Sequence, residues 1–194
     1  MLAFWLVTCA HLFAASQEVQ VRLSSDRLQM SAPGLHFLTG KPLEQLRNGA
    51  SVAFDIQVSV LADSRQTVLH RSFDRFVLSY DVWEEKFSVV RMRSAGGSAL
   101  HMTAPVAEAW CVSRFSLLTA GLPEDKPLWI RIDVRANEGR ERKPETEQRS
   151  EDEGFSVASL VDMFSRPPGR PRGLTQWRAE SASFQLASLR RLIR

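Results

Sequence analysis

The sequence predicts a mainly β, α+β fold: an antiparallel sheet, sandwich-like or a curved meander, of six to seven strands with two or three short helices on one face. Two observations carry this. Val52, Phe54, Ile56, Val58 and Val60 are apolar at every second position, and Leu128, Ile130, Ile132 and Val134 repeat the pattern. Strand side chains alternate between faces, so a period of two buries one face and wets the other. Short turn-forming stretches separate the alternating runs, the order of a meander.

Taken in order, Val19, Val21 and Leu23 alternate with Gln20, Arg22 and Ser24, and Leu28 and Met30 continue as a second short strand. Pro33-Gly34 breaks the chain. Lys41 to Gly49 reads as a two-turn helix, with Pro42 suited to its first position and Gly49 to a left-handed cap. After the Val52–Val60 strand, Asp63 to Gln66 makes a turn and Thr67 to Ser79 a second long strand. Asp81 to Glu85 connects it to a third strand over Phe87 to Arg93, ended by Ala95 to Ser98. Ala104-Pro105 opens a helix reaching about Phe115, with Val106, Ala109, Trp110 and Val112 on one face. A loop from Gly121 to Pro127 leads to the strand Leu128–Arg135.

Asn137 to Gly154 holds seven acidic and four basic residues and no large apolar side chain. Such a stretch buries too little surface to offset the entropy of ordering, and it reads as a solvated loop within one domain spanning 17–186. A short helix over Phe155 to Phe164 and a stiff Arg-rich connector at 166–172 follow. Gln176 to Leu186 reads as a last strand, and 187–194 as a basic C-terminal tail.

Met1 to Ser16 contains no Lys, Arg, Asp or Glu and ends in small residues. Its apolar core of about 14 residues spans roughly 21 Å as a helix, short of a ~30 Å bilayer core. It therefore reads as a signal peptide cut before Gln17, and the domain as periplasmic or otherwise extracytoplasmic. No Lys or Arg precedes Arg22, so the usual basic n-region is missing and a start further upstream is favoured. The alternative is a lipid anchor on Cys9, although Thr8 replaces the small residue that a lipidation site prefers.

Past the leader only Cys111 remains, which rules out an intrachain disulfide and leaves packing to hold the fold. Cys111 lies in an apolar run and reads as a small core residue. The net charge is only +3, with 21 of the 25 basic residues Arg. No basic stripe interleaved with aromatics points to nucleic acid. The basic tail suggests at most peripheral contact with a membrane surface.

Chemistry-bearing patterns are sparse. His11, His36, His70 and His101 lack metal-ligand spacing, so no metal or cofactor is expected, and no nucleophile elbow or phosphate loop occurs. Asp74, Asp81, Glu84 and Glu85 cluster along the chain, and paired carboxylates can run acid–base chemistry; a solvated hairpin end is the plainer reading. Tyr80-Asp81-Val82-Trp83-Glu84 is the most distinctive stretch, offering Tyr80, Asp81, Trp83 and Glu84 as ligand or partner contacts.

The segment Arg75 to Val89, with its Leu78-Ser79-Tyr80-Asp81 centre, resembles the middle of a family of small exported bacterial proteins of unknown function. The similarity runs over about 18–186 through the Ile130-Arg131-Ile132-Asp133-Val134-Arg135 strand, the late Trp177 and the Ser-rich Ser181-Ala182-Ser183, and the charged insert departs from it. The resemblance implies an exported protein and supplies no site residues. The expectation is a non-enzymatic binding or accessory module of the cell envelope, assisting a membrane-bound protein. The alternative is an envelope hydrolase or small-ligand-binding protein using the Tyr80–Glu84 corner.

Overall fold

A computed structural model describes residues 18–93, 97–137 and 175–191. The leader with Cys9, nearly all of the charged insert, the helix expected at 155–164 and the Arg-rich connector lie outside them. Nine strands form one sheet among the described residues: β1 (Glu18–Ser24), β2 (Arg27–Ser31), β3 (Val52–Ala62), β4 (Thr67–Asp81), β5 (Lys86–Arg91), β6 (Ser98–Met102), β7 (Ser116–Leu118), β8 (Trp129–Asn137) and β9 (Gln176–Ser181). Three helices accompany them: α1 (Gly40–Arg47), α2 (Ala104–Ser113) and α3 (Leu186–Arg191).

The strand order is β6-β5-β4-β3-β8-β9-β1-β2-β7. β3 to β5 are the expected meander, and β6 extends it by one strand. The sheet is nevertheless mixed, because β1 pairs with β9 in parallel through Glu18↔Glu180 and Val19↔Ser181. It is a single curled half-barrel rather than a sandwich-like pair of sheets. The expected six to seven antiparallel strands fall short by β6 and β7, which are too brief to show a period of their own.

Alternation decides what the curl encloses. Val52, Phe54, Ile56 and Val58 of β3, Phe76 and Leu78 of β4, and Ile130, Ile132, Val134 and Ala136 of β8 are buried on the inner face. Phe37 lies 5.1 Å from Phe54, and Trp177 of β9 packs against both rings at just over 6 Å, closing that core region with aromatic contacts. The outer face carries cross-strand ion pairs, as expected of a wetted sheet surface.

Two sequence expectations shift at their edges. α1 starts two residues before Pro42, and Gly49 takes the left-handed cap at φ +84°, where a residue with Cβ is strained. The last strand ends at Ser181, and Leu186 opens α3, so part of the expected tail is helical.

The connection β6–α2–β7 runs from one edge of the sheet to the other, and α2 packs against β2 and β5 across the mouth of the curl. The face that α2 buries is Ala107, Glu108, Cys111 and Val112, whereas Val106 is largely exposed and Trp110 half-buried. This corrects the expected face of Val106, Ala109, Trp110 and Val112. The helix is apolar almost all round, so its sequence contains no period that selects a side.

Candidate functional site

The Tyr80–Glu84 corner is the tip of the β4–β5 hairpin, where Tyr80 faces Phe87 and Asp81 faces Lys86 in register. Tyr80 points into the curl, its ring centroid 4.8 Å from that of Phe87. Asp81 Oδ1 accepts hydrogen bonds from the backbone N–H of Trp83 at 2.8 Å and of Glu84 at 3.1 Å. Asp side chains shape turns in this way, mimicking a backbone acceptor. Glu85 completes the reversal at φ +53°.

The side chains at the tip diverge. Trp83 is 96% exposed and Val82 56%. The Glu84 carboxylate crosses to β6 and pairs with His101 Nδ1, both side chains being more than half exposed. Tyr80, Asp81, Trp83 and Glu84 therefore do not converge on one point, and the corner is a protruding ridge. Clefts formed by described residues lie elsewhere. One is lined by Asp55, Gln57, Phe73, Asp133 and Arg135 on the outer face, another by Pro127, Phe184, Gln185 and Leu189 beside α3.

Asp74 does not join the other acids of its stretch. It is buried on the inner side of β4, where Oδ2 accepts from Arg91 Nε at 2.5 Å and Oδ1 from the N–H of Arg75 at 2.8 Å and of Arg93 at 3.3 Å. On the outer face, Arg75 grips Asp55 with two parallel bonds of 2.6 and 2.8 Å. These bonds, then the carboxylate's charge, hold the Arg75 guanidinium ionised above its ordinary range. Arg178–Asp133 at 2.7 Å and Arg131–Glu180 at 2.6 Å continue this polar surface.

Sequence reasoning missed Glu108. Its carboxylate is buried beneath α2, and Oε1 accepts the N–H groups of both Phe37 and Leu38 at 2.7 Å while Oε2 meets His36 Nδ1 at 3.0 Å. The signal was present as one carboxylate inside an otherwise apolar helix, since a buried acid requires partners. Cys111, one turn away, is buried, and burial followed by the Glu108 charge pushes its thiol far above the ordinary value of 9.0. It is a packing residue.

Among the described residues no group of three His, Cys, Asp or Glu is placed to hold a metal, and no helix is long and apolar enough to cross a membrane. No family model, curated protein or solved structure matches the chain. What distinguishes the corner is an apolar side chain held out from the sheet. Val90 and Met92 on and just past β5, and Leu100 on β6, are also exposed, with the polar pairs Asp81–Lys86 and Ser79–Ser88 between them and the tip.

Proposed function

We propose that this domain is a non-enzymatic binding module of the extracytoplasmic space, docking onto a membrane-bound envelope protein through the β4–β5 hairpin tip. One observation carries the reading: Trp83 is 96% exposed on a turn whose backbone Asp81 fixes. A Trp left in water contributes little to folding, and exposed aromatics of this kind are enriched among the side chains that anchor protein interfaces. Asp81, Glu84 and Glu85 surround it, partly offset by Lys86. That charge favours a partner pocket that is apolar at its floor and basic at its rim, and disfavours an anionic lipid surface. Export rests on the apolar leader and on the resemblance to small exported proteins.

The test is a photo-crosslinking residue at position 83, with position 178 on the ion-paired outer face as control, followed by extraction from the native envelope. A discrete membrane-protein adduct at 83 and not at 178, weakened by salt, supports the reading. Equal labelling at both positions, or no adduct together with a hydrolysis that Asp81→Ala abolishes, overturns it.

A further inference from the structure

We infer that the outer face of β4, β3, β8 and β9 is a docking surface for an anionic lipid bilayer, met through its phosphate headgroups. The strand register builds this face. Asp55 of β3 lies opposite Arg75 of β4 on one side and Arg135 of β8 on the other, and Ser59 lies likewise between Arg71 and Arg131. Strands stand about 4.8 Å apart and rise about 3.3 Å per residue, so these four arginines mark the corners of a patch of roughly 10 by 13 Å. Three carboxylates lie among them, and each is already held. Asp55 is taken by Arg75, Asp133 by Arg178, and Glu180 by Arg131 and Arg65 together.

Positive charge is left over. Arg71 and Arg135, at diagonal corners, are exposed and among the described residues make no ion pair or side-chain hydrogen bond. Glu180 offers one negative charge to two guanidinium groups, and Arg93 adds a further cation over the outer-face ring of Phe73 at 4.9 Å. Elsewhere the described Lys and Arg nearly balance the described Asp and Glu, so the surplus belongs to this face. Two features select a bilayer as its occupant. The cations spread over a patch several strands wide, which suits a plane of phosphates better than a single polyanion strand, and all are Arg, whose fork takes a phosphate through two parallel bonds. Val68, Leu69 and Phe73 of β4 are exposed beside them, and apolar side chains next to cations are what enters the headgroup boundary. The acidic tip does not oppose this contact. Arg75, the corner nearest to it, lies six residues along β4 from Asp81, about 20 Å, beyond a Debye length of about 10 Å.

This inference stands apart from the docking reading, because vesicles free of protein test it and Trp83→Ala should leave the result unchanged. The 17–194 protein should sediment with vesicles of equal parts phosphatidylglycerol and phosphatidylcholine, stay in solution with phosphatidylcholine alone, and be released by salt. Arg71→Ala and Arg135→Ala should each weaken binding about fivefold, and together about 25-fold. Both side chains lack partners, so thermal melts of these variants should match the parent. Arg190→Ala with Arg191→Ala, in α3, should change binding little. The proposal is overturned if the anionic vesicles leave the protein in solution, if phosphatidylcholine binds it equally, or if binding survives the loss of Arg71 and Arg135. Tighter binding to soluble dextran sulfate than to the anionic vesicles also overturns it, by assigning the face to a polyanion chain.

Discussion

Glu108 of α2 and Phe37 of the loop before α1 are joined by a 2.7 Å hydrogen bond from the buried backbone N–H of Phe37 to the carboxylate, and the same oxygen takes the N–H of Leu38. The α2 face is otherwise Ala107, Cys111 and Val112. Small side chains like these bury little area, so the clasp fixes where the helix sits across the mouth of the curl.

Glu108→Ala should therefore destabilise the domain by about 2–4 kcal/mol, because two buried donors lose their acceptor together. Glu108→Gln keeps an acceptor oxygen and should recover part of that loss. Urea denaturation followed by tryptophan fluorescence measures both; equal midpoints for Glu108→Ala and the parent would show that the clasp carries no stability.

Asp74→Ala should cost about 3–5 kcal/mol, since Arg91 would be left partly buried without its carboxylate. Replacing both, as Asp74→Ala with Arg91→Met, should cost less than Asp74→Ala alone. A double-mutant cycle from denaturation midpoints checks the sign of the coupling.

Cys111 makes stability fall in alkali. Its thiol keeps its proton in the folded state, where its pKa is raised above the ordinary 9.0, while the unfolded chain loses the proton near that value. The unfolded state then binds fewer protons, so stability is intact below about pH 9 and falls above it by about 1.4 kcal/mol per pH unit. Cys111→Ala should remove this part of the slope, read as the difference between the two proteins' stability curves from pH 8 to 10.5. A thiol reagent at pH 8 should leave Cys111 unmodified in the folded 17–194 protein and label it in urea.

Asp81→Ala should lose two turn hydrogen bonds and about 0.5–1.5 kcal/mol, whereas Trp83→Ala should stay within about 0.5 kcal/mol of the parent because nothing covers that ring. Thermal melts compare them. A Trp83→Ala loss as large as that of Asp81→Ala would place the ring in a packing role.

The long strands were written in the sequence. A strict period of two over Val52–Val60 and Leu128–Val134 selects both the strand and its buried face, because one face of each strand loses water and the other keeps it. The turn at Asp63–Gln66, the Gly49 cap and the burial of Cys111 followed from local chemistry as well. The sequence also marked the Tyr80–Glu84 corner, but as a group of residues. Only the fold shows that Asp81 shapes the turn, that Glu84 reaches His101 and that Trp83 stands alone in water.

The tertiary structure decided whatever depends on neighbours distant in the chain. The parallel β1–β9 pair and the edge strands β6 and β7 arise from pairings that no local pattern encodes. The face of α2 was decided by its seat across the curl, since an almost uniformly apolar helix has no preferred side of its own. In the sequence Asp74 reads as one of a cluster of acids and Glu108 as a lone acid in an apolar helix. Their roles come from the Arg91 side chain and the Phe37 and Leu38 backbone that folding brings to them, because a buried carboxylate is tolerated only where donors already wait.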